Sequence, residues 1–172
     1  MSIKDVTIGV HAPETVNVIV EIPKGSHCKY EYDEKLDRIL HTSVIYPTDY
    51  GFIPETRSED GDHLDVLVFL SEPTFPGCHL TVRPIGALYM EDDNSTDTKI
   101  IGVAEKDPFQ SHIKTIDDID ENYKKEIHHF FEIYKQLENK VVKVHHWHNK
   151  DVALKAIISA RQRFSKEDQS KV

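Results

Sequence analysis

Residues 60–70 read Asp60-Gly61-Asp62-His63-Leu64-Asp65-Val66-Leu67-Val68-Phe69-Leu70, three carboxylates on a tight turn that runs straight into the most apolar stretch of the chain. The run from Leu64 onward has the composition of a strand buried on both faces, and Asp65 lies inside it. An ionised carboxylate in that position is costly unless a positive charge meets it. Two such charges about 5 Å apart repel by roughly 3 kcal/mol at an effective dielectric of about 20. Crowded carboxylates either hold protons or gather around a hard divalent cation such as Mg2+, whose preferred ligands are oxygens. For Asp60-Gly61 alone a solvated turn before an ordinary strand is the simpler alternative; Asp65 inside the apolar run argues for the cation.

Outward from this stretch the chain reads as short strands followed by helices. Residues 16–22 alternate, with Val16, Val18, Val20 and Ile22 on one face and Asn17, Ile19 and Glu21 on the other. Pro23 and Gly25 turn the chain into a second strand over 28–33, and further strands are expected near 66–70, 80–90 and 99–104. After residue 115 the period changes. Ile119, Tyr123, Ile127, Phe130, Phe131, Tyr134 and Leu137 recur at three or four residues, an amphipathic helix with Thr115 or Asp117 as candidate cap. Residues 141–144 add one strand, and Asn149 begins a second helix whose inner face is Val152, Ala156, Ile157, Ala160 and Phe164. The pattern predicts a mainly β protein with some α, a closed or partly closed β-barrel flanked by two helices in the C-terminal half of the chain.

Length and charge bound the possibilities. The 172 residues suffice for one sizeable core, so one domain over 1–172 is expected, with 1–15 and 165–172 as peripheral arms. No export signal and no apolar run of membrane-spanning length is visible, which points to a soluble, cytoplasmic protein with no membrane partner. Cys28 and Cys78 are then free thiols. A formal charge of -9, from 30 acidic and 21 basic residues, opposes binding to nucleic acid. Eleven histidines include His128-His129 and His145-His146-Trp147-His148, but neither stretch has a partner at zinc-site spacing, so surface or subunit-interface positions are expected.

A second acidic segment, residues 90–99, reads as a hairpin loop. Asp97 and Lys99 sit two apart at a strand start and share a face, offering an anion for a metal beside a cation for an anionic ligand. Lys29 and Glu31 repeat that pairing. Two such pairs on a barrel-like scaffold point to a site for the metal complex of a phosphorylated small molecule.

The order and spacing of seven fragments resemble the soluble family I inorganic pyrophosphatases of the short bacterial type. These are Glu21, Lys29-x-Glu31, Asp37-Arg38, Tyr46-Pro47-x-Asp49-Tyr50-Gly51, Asp60-Gly61-Asp62-x-x-Asp65, Asp92 with Asp97-x-Lys99, and Phe130-Phe131-x-x-Tyr134-Lys135. The resemblance spans residues 16–164. It implies a five-stranded, OB-like closed barrel, a homohexamer, and Mg2+-dependent hydrolysis of inorganic pyrophosphate to two orthophosphates by direct attack of a metal-activated water. It also implies roles: Asp60, Asp65, Asp92 and Asp97 as metal ligands with Glu21 supporting a further ion, and Asp62 as the general base. Lys29, Arg38, Tyr50, Lys99, Tyr134 and Lys135 would hold phosphate oxygens, and Glu31 and Tyr46 would act behind them or through water.

Those seven acids and four bases leave the pocket at net -3. Pyrophosphate, at about -3 to -4, then calls for roughly three or four divalent cations, with Mn2+ or Zn2+ as possible substitutes for Mg2+. Two rival readings remain: a hydrolase of larger phosphoanhydrides, and a barrel that binds metal-phosphate complexes or nucleic acid without turnover. One departure from the family signature is His63, where proline is usual. Its imidazole is expected to add an inflection near neutral pH to the rate profile; a profile unchanged by His63→Pro would contradict this.

Overall fold

The computed structural model describes residues 5–30, 36–93 and 95–169. Strands β1 (Val16–Ile22), β2 (Cys28–Tyr30), β3 (Leu36–Ile39), β4 (Asp49–Ile53), β5 (Leu64–Phe69), β6 (His79–Asp92), β7 (Ser95–Ala104) and β8 (Val142–Asn149) are joined by α1 (Glu121–Ile133) and α2 (Lys150–Gln169). The pairing order β1-β4-β5-β7-β6 returns to β1 through a β1–β6 ladder, so five strands form a ring, and β8 extends the sheet from β6. All ring contacts are antiparallel except β5–β7, which is parallel. That parallel seam places Val66 beside Ile100, and hence Asp65 beside Lys99.

Alternation put Val16, Val18, Val20 and Ile22 on one face of β1, and all four are buried. Ile19, on the opposite face, is buried too, because Val6 and Phe52 pack over it from outside the ring. The strand β4 carries no alternation and sequence reasoning missed it: all five residues are buried, including Asp49, whose carboxylate accepts from the Lys24 N–H at 2.8 Å and the Thr74 N–H at 3.0 Å. Expected element limits shift elsewhere. The strand expected over 28–33 is β2 as far as Tyr30, and residues 31–33 lie outside the described set. The segment expected as a long hairpin loop is mostly strand, since β6 runs to Asp92 and β7 starts at Ser95.

Helix α1 is capped by Asp120, which accepts from the Asn122 N–H at 2.7 Å, rather than by Thr115 or Asp117. Thr115 instead precedes a short 3-10 turn, where Asp118 accepts its N–H. Ile127, Phe130 and Phe131 face the core as the periodicity requires, whereas Tyr123 and Leu137 are exposed. The cap position of Asn149 holds: its side chain accepts from the Val152 N–H at 3.3 Å, and Ala153, Ile157 and Ala160 of α2 are buried against the ring. Helix α2 continues to Gln169 with Ser165, Lys166 and Glu167 exposed, while Val6 and Ile8 near the start of the described chain are buried.

Gly51 shows how tightly β1 and β4 meet. A Cβ at this position would lie 2.0 Å from the Ile19 carbonyl oxygen, a backbone atom in the middle of a paired strand. Gly51→Ala is therefore expected to lose about 3 kcal/mol or more of stability. Urea unfolding checks this, and a loss under about 1 kcal/mol would contradict the close approach.

Candidate active site

The turn between β4 and β5 is tied shut at its neck. The buried Thr56 hydroxyl donates to the Ile53 carbonyl and accepts from the Leu64 N–H at 2.9 Å, so both ends of the loop close on one side chain. Within the loop, Asp60 Oδ1 accepts the Asp62 N–H at 3.0 Å, the Ser58 N–H donates to the Asp62 carbonyl at 2.7 Å, and Gly61 takes a positive φ of 92°. The Asp60 and Asp62 carboxylates consequently stand exposed on a fixed turn.

Asp65 follows on β5, and the parallel register brings it to Lys99 on β7. The buried Lys99 ammonium lies 2.5 Å from Asp65, 2.8 Å from Asp97 and 2.9 Å from the Tyr50 hydroxyl, to which it donates. Burial alone would depress Lys99, but the two carboxylates overcome this and hold it well above the ordinary lysine range. Asp97 is pushed up by burial and by the Asp65 and Asp60 charges, against the pull of Lys99. Across the β6–β7 hairpin Asp92 pairs with Lys135, just beyond α1. The Asp92 Oδ1 atom is buried and without a hydrogen-bond partner.

Glu21 of β1 faces a cleft of about 290 Å³ lined also by Lys29, Phe52, Asp62, His63 and Asp65. Burial raises the Glu21 carboxyl to about 7, with Lys29 opposing and Asp65 reinforcing the shift. Tyr46, Tyr50 and Tyr134 are buried with Phe130 in one aromatic group, Tyr46 and Tyr50 with ring centroids 5.1 Å apart. Burial first, and nearby carboxylates in part, hold all three phenols above their ordinary range, so they remain neutral hydroxyl donors.

Most of the residues singled out by sequence meet here: Glu21, Lys29, Asp62 and Asp65 line the cleft. Asp60 and Asp97 line the adjoining hollow toward α2. Arg38, opposite Lys29 in the β2–β3 ladder, instead reaches Glu138 at 3.0 Å, and Glu31 lies outside the described residues. His63 stacks on Phe52 with ring centroids 4.8 Å apart and its Nδ1 lies 3.0 Å from the Thr56 carbonyl. Burial lowers its pKa, so the inflection expected near neutrality moves to more acid pH. Thr56 and Arg57 escaped sequence reasoning, and Asp49 entered it only within the Tyr46-Pro47-x-Asp49 fragment.

The donor set is one of carboxylate oxygens, the chemistry of Mg2+ and its hard relatives. The unpartnered Asp92 Oδ1, and Glu21 and Asp97, each raised by burial and by Asp65, fit a cation among them. Among the described residues no three carboxylate, imidazole or thiol groups stand close enough to enclose one ion. The acids are held instead as lysine-bridged pairs, with Asp60 and Asp62 presented from the turn. The histidine stretches form pairwise contacts, His145 with Glu91 at 3.5 Å and His128 with Glu132 at 3.3 Å.

Known proteins resemble the chain over most of its length. A family model described as inorganic pyrophosphatase matches residues 18–165. The inorganic pyrophosphatase of Methanosarcina mazei is 47% identical over 155 residues, covering 87% of this chain and 92% of its own. The crystal structure of the Thermus thermophilus inorganic pyrophosphatase superposes with a TM-score of 0.90 at 44% identity, covering 96% of this chain and 99% of its own. The solved structure of the Helicobacter pylori inorganic pyrophosphatase gives a TM-score of 0.88 at 37% identity, covering 94% of this chain and 99% of its own.

A carboxyl raised from 4.5 to about 7 on folding binds its proton more tightly in the folded protein. Its contribution is therefore full below pH 4.5 and is lost as the pH rises through 7. In metal-free protein, unfolding free energy should fall by up to about 3 kcal/mol more for the native chain than for Glu21→Gln between pH 4.5 and 8. Parallel pH dependences of the two in urea titrations would contradict the assignment.

Proposed function

Because the chain belongs to the inorganic pyrophosphatase family, it is an enzyme of pyrophosphate hydrolysis, and we propose that the lysine-bridged carboxylate cluster is where inorganic pyrophosphate is split into two orthophosphates. The observation that carries this reading is Lys99 buried between Asp65 and Asp97 beside the turn bearing Asp62. Asp60, Asp65, Asp92 and Asp97 hold divalent cations, and Glu21 supports a further one. Bound Mg2+, with Mn2+ or Zn2+ as substitutes, supplies counter-charge to the phosphates and lowers the pKa of the attacking water. Three to four ions balance the charge of pocket and substrate.

Each side chain has a task its environment suits. Asp62, exposed on a fixed turn, accepts the proton of the attacking water, while water attacks one phosphorus and the bridging P–O bond breaks. Lys29, Lys99 and Lys135 place positive charge against the phosphate oxygens, and Tyr50 and Tyr134 donate neutral hydroxyl hydrogen bonds to them. Arg38 joins by leaving Glu138. That exchange is inexpensive, because an exposed pair of this kind is worth about 1 kcal/mol or less. Tyr46 packs behind Tyr50 and Tyr134 and fixes their rings. Glu31 acts through water.

The finer reading extends to assembly and location. Exposed apolar side chains at Ile39, Ile45, Leu137 and Val141 support burial between copies of the chain in a homohexamer, and two free cysteines support a cytoplasmic setting. No described helix is long and apolar enough to cross a membrane.

Orthophosphate release from pyrophosphate, measured with Mg2+ and after chelation, tests the reading directly. We expect turnover only with the metal, and a fall of about 100-fold or more in Asp62→Asn with Mg2+ binding retained. Full-speed cleavage by chelated protein would contradict the proposal.

A further inference from the structure

The turn that presents Asp60 and Asp62 is anchored at one point to the far end of the protein. Arg57 stands just inside its neck. The Arg57 backbone N–H donates to the Ala160 carbonyl of α2 at 2.9 Å, and its own carbonyl accepts from Arg163 Nε at 2.8 Å. The Arg57 side chain divides its donors. Nε meets Glu167 at 2.8 Å, Nη1 donates to the Gly61 carbonyl at 3.1 Å, and the guanidinium carbon lies 5.5 Å from the Phe164 ring centroid.

Gly61 is the residue between the two acids, so its carbonyl orientation sets the peptide plane from which Asp62 projects. Two neighbouring bonds fix the rest of the turn: Ser58 N–H to the Asp62 carbonyl and Gly61 N–H to the Ser58 carbonyl at 3.2 Å. Among the described residues, Arg57 supplies the one side-chain bond onto the tip from outside the turn's own acids. A planar guanidinium fork suits this task because it holds two acceptors in a fixed relation, which an ammonium cannot do.

We propose that Arg57 is a positioning residue for the hydrolytic reaction, coupling the last turns of α2, through Phe164 and Glu167, to the orientation of Asp60 and Asp62. The inference rests on the roles assigned above to those two acids. Arg57 touches neither substrate nor metal; it acts through the Gly61 carbonyl. Loss of the fork frees the tip while Thr56 still closes the neck, so the phosphate-holding lysines keep their places.

Arg57→Met keeps an apolar stem against Phe164 and removes the fork. We expect kcat to fall about tenfold or more with KM for magnesium pyrophosphate held within about twofold. Mg2+ affinity, measured by calorimetry without substrate, should weaken several-fold. Glu167→Gln, which weakens the outer anchor by removing its charge, should move both readouts in the same direction by less, and it carries the test if Arg57→Met fails to fold. Arg57→Lys should recover only part of kcat. Folded Arg57→Met with native kcat and native Mg2+ affinity, or with a raised KM alone, overturns the coupling. If the native chain itself turns over no pyrophosphate, the functional reading fails instead.

Discussion

A single buried ammonium organises the site. Lys99 is buried on strand β7 of a five-stranded ring, where an unpaired charge would cost several kcal/mol, and it is matched by Asp65, Asp97 and the Tyr50 hydroxyl. Three different ring strands supply those partners, β5, β7 and β4, so the charge cluster can form only if the strands take the observed register. The parallel β5–β7 seam is the decisive part: it sets Asp65 beside Lys99, and a slip of one residue would turn each side chain to the opposite face. Fold and site are thus determined by the same pairing.

The cluster is anionic in excess even after its lysines are counted, and burial makes the charged form of its carboxylates costly. Glu21 rises to about 7 and Asp97 is raised as well, both chiefly through burial. A divalent cation relieves that strain more completely than a proton does, because it meets several oxygens together. Asp92 makes the same point in geometry: one oxygen is held by Lys135 and the other is buried without a partner. The tyrosines complete the pocket as neutral donors, well suited to a guest that already carries excess negative charge.

Much of this was legible in the chain. Asp65 inside an apolar run signals a met charge, the period-two run at 16–22 signals a strand, and the three-to-four spacing after residue 115 signals α1. What escaped was non-local. The strand β4 is buried on all sides, so its residues show no alternation, and Asp49 in it is satisfied by Lys24 and Thr74 from distant loops. Ile19 falls on the strand face of Asn17 and Glu21, and nothing near it in sequence reveals that Val6 and Phe52 cover it. Thr115 was a sound cap signal, but Asp118 engages it in a separate turn and leaves Asp120 to begin the helix. Arg57 gives no sequence signal, since the α2 residues that anchor it, Arg163 and Glu167, are more than 100 residues downstream.

The most direct measurement of the central claim is where a divalent cation sits. Crystals equilibrated with Mn2+ should show anomalous scattering peaks between the turn carrying Asp60 and the carboxylates of Asp65, Asp97 and Asp92, with Lys99 retained beneath them. Mn2+ found only along the histidine-rich strand β8, or absent from the carboxylate cluster while bound elsewhere, would contradict the account.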